Sequence, residues 1–295
     1  MRRKRKSPRR RRRPPKAVRR PLFGMRWLRL VRLAGVALLV LCTLGGGAMA
    51  VARLDAHVDE LVLERHDPAV SFLDLPKQVS TLAGDALHNG LIDVLARRSW
   101  IDDDVCREMA GRLESSGWVA RVNFVRRSSD ASFEVSCRYR VPVAMVQRDA
   151  EFYLVDQDAV RLPGQYLYHP ESPLVQGVTA APPGPGVTWA GQDVRAGLAV
   201  LAAIRSEPFS RQVTAVLVDN FDGRRDHRDV HLELATDRSG GRIRWGSAPG
   251  RELEENTVAQ KVAILRANYA RTGRVDADHP IIDISTLPDR FTIPG

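Results

Sequence analysis

Residues 120–146 read ARVNFVRRSSDASFEVSCRYRVPVAMV. Phe133, Val135, Cys137 and Tyr139 alternate with Glu134, Ser136, Arg138 and Arg140. That period of two lets a strand bury one face and wet the other. A second apolar run precedes it, and Ser128-Ser129-Asp130 between them has turn composition. Just upstream, Asp102-Asp103-Asp104 places carboxylates where a helix N-terminus offers orphan amides. Val105, Met109 and Leu113, with Cys106 and Ala110 alongside, then form a stripe at helical spacing, and Gly117 is a stop. Residues 77–98 carry Val79, Leu82, Ala83, Ala86, Leu87, Leu91, Val94 and Leu95 and read as helical or mixed. VSFLDLP (70–76) is a short extended run. Strand, helices, strand and strand predict a small α+β unit with helices on one face of a sheet.

A second block follows. EFYLVD (151–156) and AVRLP (159–163) read as strands around a turn at Asp156-Gln157-Asp158. Residues 164–192 are rich in Pro and Gly, with one short apolar piece, Pro173-Leu174-Val175. Asp193 caps a helix bearing Val194, Leu198, Leu201 and Ile204. VTAVLVDNF (213–221), VHLELAT (230–236) and RIRWG (242–246) read as strands, the last two joined by a turn at Arg238-Ser239-Gly240-Gly241. A helix runs from about Glu254 to Ala270 on Val258, Val262, Leu265 and Tyr269, with Gly273 as its stop. PIIDIS (280–285) is a terminal strand.

The N-terminal end differs in kind. The chain has 295 residues and a net charge of +10, but residues 1–32 alone hold 16 Lys/Arg and no acid. Residues 54–295 hold 28 Lys/Arg against 35 Asp/Glu, so the bulk of the chain is mildly acidic. That balance argues against a uniformly basic nucleic-acid-binding globule. Residues 1–32 are expected to be a disordered tail, since through residues 2–20 like charges repel, prolines break helices and nothing apolar can form a core. Leu33 to Ala52 (LAGVALLVLCTLGGGAMAVA) is 20 residues without a charge. As a helix it would span roughly 30 Å, the thickness of a hydrocarbon core. The cations before it predict a single-pass protein of the cytoplasmic (inner) membrane, with its N-terminus in the cytoplasm and its bulk beyond the membrane. Ala48-Met49-Ala50 fits a signal-peptidase site, so a cleaved periplasmic binding or chaperone protein is the alternative.

These features in this order resemble the FtsQ/DivIB family of bitopic cell-division proteins. Gly117-Trp118-Val119-Ala120-Arg121-Val122 looks like the family's link between its second POTRA helix and the next strand. Arg140-Val141-Pro142-Val143-Ala144 resembles the exit from that domain, and Tyr153-Leu154-Val155-Asp156 the hairpin opening the β-domain. Pro173-Leu174-Val175-Gln176-Gly177 is similar to a further β-domain motif. So is Ile243-Arg244-Trp245-Gly246 followed by Lys261 on a helix. Ala159 stands where the family's hairpin usually has glycine. The resemblance implies α+β architecture. A basic tail (1–32), a transmembrane helix (33–52) and a linker (53–69) would precede a POTRA-like domain (70–147), a β-domain (148–286) and a short tail (287–295). It also implies a scaffold that binds other bitopic division proteins of the FtsB/FtsL type, touches membrane lipid through its helix and tail, and uses no cofactor, nucleic acid or small-molecule substrate.

Enzymatic signatures are sparse. The chain has no G-x-S-x-G, no H-E-x-x-H and no phosphate-cradling glycine loop. The seven histidines are scattered. On an extended strand His227, Asp229 and His231 would share a face, which makes a metal-dependent enzyme at Asp226–His231 a lesser alternative to a polar loop. Cys106 and Cys137 both fall on apolar faces, and a disulfide and two buried thiols both fit them. A terminal strand at a sheet edge exposes unpaired peptide groups that a partner strand can satisfy. Ile281, Ile282, Asp283, Ile284 and Ser285 are therefore the expected partner-binding residues, with Lys261 on the preceding helix offering a charge to an acidic partner.

Overall fold

The computed structural model describes residues 35, 38, 40–43, 45–50, 53–54, 69–98, 102–128 and 132–286. The chain divides into two compact units, Met1–Val58 and Asp59–Gly295. In the first, the described positions are helical and exposed. Among the described residues, however, no helix is long and apolar enough to cross a membrane. The expected transmembrane helix at 33–52, and the single-pass inner-membrane placement built on it, are corrected accordingly. The segment carries Gly45, Gly46 and Gly47 in succession. These three glycines are helical, but the described helical positions do not make the unbroken apolar helix of about 20 residues that a span needs. The basic tail (1–32), most of the linker (53–69) and the last residues (287–295) lie outside the described residues.

The second unit is α+β and contains two sheets. The first begins with β1 (Val70–Leu73), passes through α1 (Lys77–Leu95) and α2 (Val105–Ser115), and returns as β2 (Val119–Arg127) and β3 (Phe133–Tyr139). Its strand order is β1-β3-β2, with β1 parallel and β2 antiparallel to β3. The helices form where apolar residues repeat at helical spacing. Val79, Ala83, Leu87, Leu91 and Val94 make the buried stripe of α1, and Val105, Met109 and Leu113 that of α2. Both stripes pack on Phe133, Val135 and Cys137. Before α2, the Asp104 amide donates to Asp102 Oδ1 at 3.0 Å.

The second sheet holds β4 (Ala144–Arg148), β5 (Glu151–Val155), β6 (Leu174–Gln176), β7 (Val213–Leu217), β8 (Leu232–Thr236), β9 (Arg242–Gly246) and β10 (Ile281–Asp283). Their order is β10-β9-β8-β7-β6-β4-β5. Helix α3 (Asp193–Ile204) crosses from β6 to β7, and α4 (Val258–Thr272) from β9 to β10; both crossovers end in parallel pairings. Helix α4 is bounded as its sequence dictates. Thr257 and Gln260 form a capping box, and Gly273 closes the far end at φ 72°.

Three sequence expectations shift. β4 belongs to the large sheet, so the division falls between Tyr139 and Ala144 rather than after residue 147. Residues 159–163 make only isolated bridges, Val155 with Arg161 and Val160 with Thr188. Ala159, at the place where a glycine was expected from the family likeness, has φ 58° and is fully buried. The apolar piece at 173–175 becomes β6, an interior strand.

The two sheets share their packing. Along β4 to β7, alternate residues point to opposite faces, as the pleat requires. Val146, Val155, Val175 and Val216 join α3 and α4 in one core. Met145, Leu154, Leu174 and Ala215 join α1, α2 and the small sheet in the other. The Arg140 guanidinium adds a link by donating to Asp156 Oδ2 at 2.8 Å. Asp156 Oδ1 in turn accepts from the amides of Asp158 and Val160, both at 2.9 Å.

Candidate functional site

The large sheet has two edges, and the chain treats them differently. The outer side of β5 is closed by residues 160–166. The Leu162 amide donates to Leu154 O at 2.8 Å and the Tyr166 amide to Phe152 O at 3.0 Å. At the other edge, the Arg242 amide donates to Pro280 O at 2.8 Å and the Ile284 amide to Arg244 O at 3.1 Å. Residues 280, 282 and 284 thus turn their backbone toward β9. Alternation along a parallel ladder aims the N–H and C=O of Ile281 and Asp283 away from the sheet.

The side chains follow the same alternation. Ile281 is 62 % exposed and Asp283 is exposed, whereas Ile282 packs against the core and Ile284 and Ser285 are buried. The open stretch has a built end. The Asn256 amide donates to Ser285 O at 2.8 Å, and its Nδ2 to Ile284 O at 3.0 Å and Thr286 O at 2.7 Å. Asp283 Oδ1 accepts from the Ser285 amide at 2.8 Å and from its hydroxyl at 2.6 Å. Among the described residues, the strand backbone through 281–283 remains open to another strand.

Lys261 lies elsewhere than its sequence position suggested. It is fully buried, its Nζ donates to Glu255 Oε2 at 2.9 Å, and it sits 5.4 Å from the centroid of a Trp245 ring. An ammonium so enclosed does not reach a partner's carboxylate. It anchors the 247–256 loop instead. Glu255 also accepts from the Ser247 amide at 3.0 Å and the Ser247 hydroxyl at 2.8 Å. Burial pushes the Glu255 carboxyl up, but the Ser247 amide and hydroxyl together with Lys261 outweigh that and hold it below its ordinary value. The loop ends at Asn256, so Lys261 supports the residue that bounds the open edge. Sequence reasoning missed Ser247, Glu255 and Asn256, because nothing local marks a carboxylate in the preceding loop as the partner of a lysine six residues on.

No protein-family model and no curated protein matches this chain. Its function is therefore argued from its own geometry.

The Asp226–His231 stretch is a loop. The Asn220 side chain holds it, donating to Asp226 O and Val230 O, both at 2.9 Å. Asp229 pairs with Arg244. Among the described residues, no three His, Cys, Asp or Glu side chains converge on a metal position. Cys106 and Cys137 are free thiols. Burial pushes the Cys137 thiol up to about 11. Since the thiolate is the nucleophile, native Cys137 should alkylate at pH 8 roughly two orders of magnitude more slowly than after denaturation. Mass spectrometry of timed iodoacetamide reactions checks this, and equal native and denatured rates would contradict the buried placement.

Proposed function

We propose that the chain is a non-catalytic scaffold of the cell-division machinery. Its β10 edge takes up an extended segment of a division protein of the FtsB/FtsL type as an added strand. One observation carries the reading: β5 is sealed by its own chain, while β10 keeps the peptide groups of Ile281 and Asp283 turned outward. Main-chain hydrogen bonds supply affinity in such additions, and alternate side chains supply specificity. The exposed Ile281 is the apolar contact on the outer face. Further support comes from the β1-α1-α2-β2-β3 order of the small sheet, followed by a larger sheet with a C-terminal edge strand. That order is what the likeness to FtsQ/DivIB proteins leads one to expect of a POTRA domain and a β-domain.

Ile281→Pro tests the reading with little cost to the fold. Proline deletes an N–H that faces away from β9 and is tolerated on edge strands. Pull-downs with the full chain from its native cells should lose the division partners by at least about tenfold, the equivalent of about 1.4 kcal/mol. The melting temperature should stay within a few degrees. Unchanged partner recovery would refute strand addition at β10.

A further inference from the structure

A second surface lies away from the outer edge of β10, at one end of the large sheet. The parallel strands β4, β6 and β7 begin there, and their starts floor a cleft of about 1500 Å³. One wall is the first turns of α1, with Leu82 43 % exposed. The other is the outer face of α3, where Leu201 and Ala202 are flanked by Arg195 and Arg205. The 166–172 loop overhangs it and carries Leu167, 91 % exposed. A cluster of apolar side chains this open is unusual on a folded surface and marks an interaction site.

Cations outnumber carboxylates around the cleft. Lys77, Arg195, Arg205 and Arg211 line it. Among the described residues none of the four has a carboxylate within ion-pair distance, whereas Arg138 and Arg140 beside the cleft are paired with Asp158 and Asp156. The lining carboxylates are Asp158, which faces Arg138 at 3.9 Å, and Glu171. Cations left unpaired around an apolar floor attract a ligand that brings both negative charge and apolar side chains.

We propose that this cleft docks an acidic amphipathic segment of a partner protein, independently of the β10 edge. The concave floor favours a peptide over an anionic membrane, because a planar bilayer cannot reach between α1 and α3. The apolar side of the segment covers Leu82, Leu167 and Leu201, and its carboxylates meet Arg195 and Arg205 at the rim. Grooves that take an amphipathic helix use this division of labour.

The test uses the full chain and a photo-cross-linking peptide with leucine on one helical face and glutamate on the other. Residues 1–32 will bind any acidic peptide, so the readout is where adducts form. Adducts are expected on α3, on residues 210–214 and on the 166–172 loop. The double variant Arg195→Glu, Arg205→Glu should lose them at least about tenfold, while adducts on residues 1–32 stay equal. Leu167→Asp, at an exposed loop position, should weaken them without touching α3. Ile281→Pro should leave them unchanged. Adducts confined to residues 1–32, or equal α3 labelling in the double variant, would overturn the proposal. So would equal α3 labelling by a leucine–lysine peptide, or displacement of the α3 adducts by phosphatidylglycerol vesicles.

Discussion

Gly177→Ala should lower the melting temperature by roughly 10 °C. Gly177 follows β6 with φ +90°, a conformation that L side chains rarely adopt. A Cβ there would lie 2.6 Å from Asp219 Cβ, 2.7 Å from its amide nitrogen and 2.9 Å from its Cα. Two of those atoms are backbone and cannot swing aside. Arg224 holds the place from the other side, donating to Gly177 O at 2.7 Å and to Asp193 Oδ2 at 3.0 Å. The backbone strain costs about 1–3 kcal/mol, and the overpacking about as much again. For a unit of this size each kcal/mol lowers the melting temperature by about 2–4 °C. Gly184→Ala is the control, since its nearest contact would be Val187 Cγ2 at 4.0 Å. Thermal melts followed by circular dichroism compare the two. Equal melting temperatures would show that β6 is not held as described.

Lys261→Ala should destabilise the protein by about 3–5 kcal/mol, the usual consequence of removing one member of a buried ion pair. The loss has two parts: Glu255 keeps its charge without its cation, and the lysine stem leaves Trp245 uncovered. Lys261→Met retains the stem and should cost less. Adding Glu255→Gln to Lys261→Met should recover part of the remainder, because the orphaned charge is gone. The pH dependence has a definite sign. The Glu255 carboxyl is held below its ordinary value of 4.5, so the stability it contributes is present above about pH 4.5 and drains away as pH falls through the depressed value. Urea unfolding of the three variants from neutral to acid pH measures all of this. Hydrogen exchange adds a local reading. The Asn256 and Ile284 amides should lose protection in Lys261→Ala ahead of the rest of the sheet, since the 247–256 loop is what the lysine anchors.

Much of the fold was legible wherever a pattern was local. The alternation through 133–139 gave β3, the Val105-Met109-Leu113 stripe gave α2, and Gly273 marked the end of α4, although that helix starts at Val258 and not at about Glu254. At the edge, the strand's alternation leaves Ile281 and Asp283 outward as expected partner contacts, while Ile284 and Ser285, expected among them, are buried. Partnerships over long separations left no such trace. β6 is three residues inside a Pro- and Gly-rich stretch, too short for a period, and it becomes interior only because β4 and β7 come to flank it. Lys261 looked like a surface charge beside an apolar stripe, because its neutraliser sits outside the helix. The apolar run at 33–52 misled for a related reason. Hydropathy sums over a window and does not fix helix length, and among the described residues no helix is long and apolar enough to cross a membrane.

The alternation along β4 to β7 also decides how this chain can be divided. Each of these short strands is a party wall, with Val146 and Val155 facing one room and Met145 and Leu154 the other. A fragment begun at residue 148 would lose β4 and leave β5 and β6 without the strand between them. Its orphaned edges would seek each other in solution. The halves are therefore not cassettes that recombination or subcloning can exchange; whatever replaces one must arrive already fitted to the wall it shares.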